Sequence, residues 1–314
     1  MGVKRRPQRL TTTLLFGAAL ALAADGPTNT NPLELIKQPT PPATKRLPYG
    51  KDPLQFGELR LPAGKGPFPV AILVHGGCWE TKVGNLPEAV TSFELLRPIA
   101  AALAEAGIAS WNVEYRRLGN AGGGWPGTYL DLSRAADFLR EIRLRYDLDL
   151  ARVISIGHSS GGQLAIWLAA RGKVPKSSVL HADSPLALKG AVSVDGPPDL
   201  AADRAIEQSV CGGPVITQFI GGTPEEFPER YRDGSSAGLL PLGVRQELLL
   251  ASKHNDAWIG LFKQYAATAE KAGDSVRMAI MEGAGHFDGI DPQSPAWNTV
   301  MASVRSLLAA ETRK

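Results

Sequence analysis

The chain has 314 residues, 44% of them hydrophobic, which is enough to bury a full core as one large domain or two small ones. Its 34 basic and 31 acidic side chains leave a formal net charge of +3. That balance excludes an electrostatic argument for nucleic acid or an anionic membrane surface as partner.

Part of the charge sits in the first residues. MGVKRRPQRL is followed by the apolar run TTTLLFGAALALAADG, and Ala21-Leu22-Ala23 fits a small-x-small cleavage pattern. A basic start, a short apolar run and small residues read as a secretory signal peptide over residues 1–23. The run is too short to span ~30 Å of hydrocarbon as a helix, so no stable membrane anchor is expected. Residues 1–23 carry four basic and no acidic side chains, so the mature chain would stand at +3 − 4 = −1. The expected location is periplasmic or secreted.

Residues 24–50 are rich in Pro, Thr and Asn without an apolar period and read as an N-terminal arm. From 51 onward the texture becomes that of a folded domain. Leu54 to Leu61 alternates weakly as an early strand. Pro69 to Val74 is a continuous apolar run, as in a strand buried on both faces. Glu94 to Ala106 has helical spacing, and Ile108 to Val113 is a second short strand. Tyr129 to Tyr146 is an amphipathic helix, Arg152 to Ile156 a strand, and Gly161 to Arg171 a small-residue helix. Leu188 to Val194 is a further strand. Beyond a break come strands at Leu248 to Ala251 and Val276 to Met281, with helices at Ala257 to Ala272 and Pro295 to Ala310. Strands alternating with helices predict an α/β fold, with a mostly parallel central sheet covered on both faces. The break, about 197–243, is rich in Gly and Pro. It reads as a small irregular cap insertion after the strand at 188–194, above the carboxyl ends of the strands.

Gly157-His158-Ser159-Ser160-Gly161 matches G-x-S-x-G between a predicted strand and a predicted helix. That context lifts a serine hydroxyl above the sheet on a sharp turn, and the flanking glycines let the backbone pass closely. Ser159 is the expected nucleophile; the bland alternative is an exposed serine in a Gly-rich turn. His75-Gly76-Gly77-Cys78-Trp79 follows an apolar strand. Its backbone N–H groups at Gly76, Gly77 and Cys78, with that of Ser160, suit an oxyanion hole. Among five histidines, His286 in Glu282-Gly-Ala-Gly-His286-Phe-Asp288 follows the last strand on a flexible loop and is the expected general base. His75 reads as structural, His158 as turned away from Ser159, and His181 as a surface residue. With this nucleophile turn the order is serine, acid, histidine. Asp256, just beyond a strand, is the expected acid, although aspartate there also suits a helix N-cap. Asp195 and Asp199 are the fallbacks, and Asp288 lies too near His286 in sequence.

HGGCW, GHSSG, a late acid and GHFD together resemble the α/β-hydrolase superfamily. More narrowly they look like the bacterial esterase/lipase-like branch that also holds kynurenine formamidases and feruloyl-esterase-like proteins. Glu114 to Arg117, Gly122 to Gly127, Asp131 and the stretch Phe287 to Pro292 carry the same resemblance. It implies the α/β-hydrolase fold, a Ser159–His286–Asp256 triad, a backbone oxyanion hole, and neither metal nor other cofactor. Cys78 and Cys211 both belong above the same edge of the sheet; a disulfide and two buried free thiols both remain open. The expected activity is hydrolysis of a small-molecule carboxylic ester through an acyl-enzyme, falling below about pH 6–7 as His286 protonates. An arylformamidase, a peptidase and a catalytically dead binding module are the alternatives.

Overall fold

The computed structural model describes residues 1–2, 29–81 and 92–309. The segment 1–23, expected to be a signal peptide, lies outside the described residues apart from its first two.

Strands β1 (Lys45–Pro48), β2 (Phe56–Arg60), β3 (Phe68–Val74), β4 (Ala109–Val113), β5 (Leu148–His158), β6 (Gly190–Val194), β7 (Arg245–Ala251) and β8 (Val276–Met281) form one sheet. Its order is β1-β2-β4-β3-β5-β6-β7-β8. β1 and β2 pair antiparallel at one edge, and every pairing from β4 to β8 is parallel. The central strands show why their sequences read as unbroken apolar runs: both faces are covered. Val70, Ile72 and Val74 enter one core while Ala71 and Leu73 enter the other. The first core also takes helices α3 (Gly127–Asp137), α4 (Leu139–Ile142), α5 (Ser160–Ala170) and α10 (Asp256–Lys271). The second takes α2 (Arg97–Glu105) and α11 (Ala296–Leu308).

Two expectations are refined. The described part of the arm holds two short elements. Asn31 caps a helical turn, α1 (Pro32–Leu35), and β1 adds an edge strand whose mostly exposed residues carry no apolar alternation. The insertion at 197–243 holds short helices: α6 (Leu200–Asp203), α7 (Glu207–Cys211), α8 (Val215–Ile220) and α9 (Pro228–Gly234). None exceeds two turns, so none repeats an apolar period often enough to be read from sequence.

The register gathers the loops that matter. Val74 pairs with Gly157, His158 with Val194, Val194 with Leu249, and Ala251 with Met281. The loops after β3, β5, β6, β7 and β8 therefore leave the same edge of the sheet. β4 and β5 flank β3 on opposite sides, which puts the switch of strand order beside the loops after β3 and β5. Among the described residues no helix is long and apolar enough to cross a membrane.

Candidate active site

Ser159 sits between β5 and α5 with φ 54° and ψ −132°. A left-handed backbone is costly for a residue with a Cβ and persists only where its surroundings enforce it. Here Ser159 N donates to Val194 O at 2.8 Å and Ser159 O accepts from Gly162 N at 2.7 Å. A side chain on Gly161 would run into the carbonyls of Val74 and His75, so only glycine allows α5 to pack this close to β3.

The loop after β3 is also left-handed, with φ of 105°, 53° and 57° at Gly77, Cys78 and Trp79. Among the described residues no protein acceptor takes the N–H of Gly77, Cys78 or Ser160, whereas Trp79 N–H donates to Ser160 Oγ at 3.3 Å. His75 anchors the loop from below. It is fully buried, with Nδ1 2.9 Å from Gly76 O and Nε2 3.0 Å from Glu114 Oε1, and its ring stacks on Tyr115. Cys78 and Cys211 are joined by a disulfide, with Cα atoms 5.9 Å apart, which ties this loop to α7 of the cap.

Ser159, Gly77, His158, His254 and His286 line one open cleft of about 540 Å³. Ser159 Oγ and His286 share that cleft without a direct hydrogen bond. Apo serine–histidine pairs commonly sit loose and tighten around substrate. His158 Nε2 lies 2.8 Å from His286 O, so it carries the proton and donates to that carbonyl. Burial is the main reason its imidazolium is pushed down to about 4. Burial, together with the neighbouring His158 and His254, likewise holds the His286 imidazolium well below the ordinary histidine range.

The carboxylate near His286 is Asp195, not Asp256. Asp256 is exposed at the first position of α10, behind its N-cap Asn255, and makes no hydrogen bond or ion pair with His286. The reason lies in the turn after β7: it puts His254 where the sequence suggests an acid, and Asp256 has already entered the helix. Asp195 leaves β6 with φ 53° and is fully buried. Its Oδ1 accepts from Ala251 N at 2.7 Å and lies 3.2 Å from His254 Nε2. Its Oδ2 has no hydrogen-bonding partner and lies 3.9 Å from His286 Nδ1. Burial raises the Asp195 carboxyl above its ordinary range, against the lowering effect of His254 and the Ala251 N–H. Asp199 instead caps α6 through Ala201 and Ala202 N–H.

His254 was not expected at the site. It stacks on Trp258 with centroids 4.3 Å apart, and its Nε2 is 3.3 Å from His286 Nδ1. Its only sequence signal is its position just past β7. His181 instead faces Val174 O in a loop.

Solved structures share the fold. Esterase B from Lactobacillus rhamnosis superposes with a TM-score of 0.69 at 15% identity, covering 87% of this chain and 89% of that one. A truncated carbohydrate esterase from gut microbiota gives 0.66 at 17% identity, covering 85% and 96%. Thermogutta terrifontis esterase 2, phosphoramylated by tabun, gives 0.66 at 16% identity, covering 87% and 98%. No curated protein matches the chain. The fold is that of the α/β-hydrolases, and the BD-FAE family model matches residues 58–238, more than half of the sequence, so the chain belongs to the BD-FAE family.

Proposed function

We propose that the protein is a serine hydrolase that cleaves small-molecule carboxylic esters through an acyl-enzyme, with Ser159 as nucleophile, His286 as general base and Asp195 as the orienting acid. The observation that carries this reading is the strained Ser159 turn opening into a cleft shared with His286 and unbonded loop N–H groups. That the similarly folded proteins are described as esterases supports it.

His286 Nε2 takes the Ser159 proton as Oγ attacks the ester carbonyl. The developing oxyanion is held by N–H groups of Gly77, Cys78 and Ser160, each worth on the order of 3 kcal/mol of barrier. His286 then protonates the leaving alcohol, and water repeats the sequence on the acyl-enzyme. For Nε2 to accept a proton, Nδ1 must carry one. A carboxylate only accepts, so His254 Nε2–H donates to Asp195 Oδ1, and the unpartnered Oδ2 is left for His286 Nδ1–H. A shift of about 1 Å on substrate binding would complete that bond and part His286 Nδ1 from His254 Nε2, now 3.3 Å away, where two N–H groups would otherwise face each other. His254 thus holds the carboxylate that holds the base.

The proposal includes export, since a Cys78–Cys211 bond suits an oxidising compartment. Ser159→Ala tests the nucleophile. Turnover of 4-nitrophenyl acetate should fall on the order of 10³-fold or more, and labelling by a fluorophosphonate should vanish. Undiminished hydrolysis in that variant would remove the assignment.

A further inference from the structure

A second, narrow cavity of about 20 Å³ adjoins the cleft and shares Cys78, Ser159, Val210, Cys211 and Trp258 with it. An ester bound across Ser159 has two arms. The open cleft admits an alcohol of considerable size, whereas the inner cavity has room for little more than one water, hence for a short acyl chain. Its walls are mainly apolar, from Trp79, Ile206 and Ile216 among others, but Asp203 is one of them.

Asp203 is 2% exposed, and among the described residues neither carboxyl oxygen has a well-formed hydrogen bond; the nearest donor is the backbone N–H of Asp199, one turn back. Glu207, on the same wall, is already engaged through Ile216 N–H at 2.7 Å. A buried carboxyl so weakly partnered is expensive and calls for a reason. Burial, with the charge of Asp199 adding to it and the Asp199 N–H opposing it, pushes the Asp203 carboxyl well above its ordinary range, which favours the neutral acid. A neutral carboxyl both donates and accepts, and is the natural complement of an alcohol hydroxyl.

We propose that this inner cavity is an acyl subsite for short acyl groups bearing a hydroxyl, and that Asp203 recognises that hydroxyl. The inference rests on the ester-hydrolase reading of Ser159. A site built to hydrogen-bond a hydroxyl rejects the analogue lacking it, because its own polar group is then left unpaired.

The test compares kcat/KM on 4-nitrophenyl esters of equal shape: glycolate against propanoate, and lactate against 2-methylpropanoate. Wild type should favour one hydroxyacyl ester over its alkyl isostere by about ten-fold or more. Asp203→Leu should erase that preference, and Asp203→Asn should keep part of it. A wild-type ratio near one for both pairs overturns the proposal, as does an unchanged ratio in Asp203→Leu with fluorophosphonate labelling of Ser159 intact. Should Asp203→Leu fail to fold, the wild-type ratio and Asp203→Asn decide. Preference for an aminoacyl ester would mean that Asp203 serves as an anion, which also overturns it. If wild type neither labels nor hydrolyses any ester, the hydrolase reading itself has failed.

Discussion

Asp195 illustrates how much one carboxylate is asked to do. It closes the turn after β6, caps the end of β7 through Ala251 N–H, and receives His254 on one oxygen while the other faces His286. Asp195→Asn should preserve shape but let the imidazole adopt the wrong tautomer, lowering kcat by about 10²- to 10⁴-fold. Asp256→Asn, on the surface, should change kcat by less than about three-fold. Steady-state kinetics of the two variants side by side checks the choice of acid, and reversed effects would restore Asp256. The pH profile belongs to the same scale. In the proposed mechanism the neutral His286 imidazole is the base, and burial beside His158 and His254 lowers its pKa. A lowered pKa keeps the base neutral to more acidic pH, so the acid limb of kcat/KM should lie below 6.5, not at the pH 6–7 expected of an ordinary histidine. A limb at 7 or above would contradict this environment.

The loop that carries His286 is fixed less by its own sequence than by what clasps it. Asp288 is fully buried. Its Oδ1 accepts from Asn29 N–H, Thr30 N–H and Thr30 Oγ1, and its Oδ2 from Gly285 N–H at 2.6 Å. Thr30 Oγ1 also lies 2.9 Å from Asp291 Oδ2, so its single proton is shared between the two carboxylates. The arm and the loop are thus stitched together through one carboxylate, and Pro32 of the arm reaches the cleft wall. Asp288→Ala would leave one buried donor, Gly285 N–H, and three part-buried ones without this acceptor. It should cost about 2–4 kcal/mol in urea unfolding and reduce kcat even though Asp288 touches no reacting atom. A variant as stable as wild type would show that the arm is not anchored this way.

Over the whole molecule, the disulfide links two elements far apart in sequence, the loop after β3 and the cap, across a separation of 133 residues. Closing so long a loop is worth roughly 4–5 kcal/mol in the entropic account. The bond also braces the left-handed Cys78 and Trp79 in the loop that carries the proposed oxyanion donors. Unreduced mature protein should therefore titrate no free thiol. A double Cys78→Ser, Cys211→Ser variant should melt lower and lose activity before it loses global structure, which circular dichroism and esterase assays followed together would resolve. Two reactive thiols in the unreduced protein would contradict it.

The sheet and its covering helices were legible in the sequence, because a strand buried on both faces needs an unbroken apolar run and a covering helix needs its stripe. The turn that presents Ser159 was legible because a strand–turn–helix with small flanking residues marks it, and the place of His286 because a Gly-rich loop after the last strand is a local pattern. The carboxylate beside His286 was not. Asp195, Asp199 and Asp256 all follow strands in the chain, and sequence cannot say which carboxylate the turns after β6 and β7 bring beneath the imidazole. Nor could it reveal His254 against Asp195, Asp288 clasping the arm, or Asp203 facing the inner cavity. Each of those depends on contacts between segments distant in sequence, and only the parallel register that draws the strand ends together decides them.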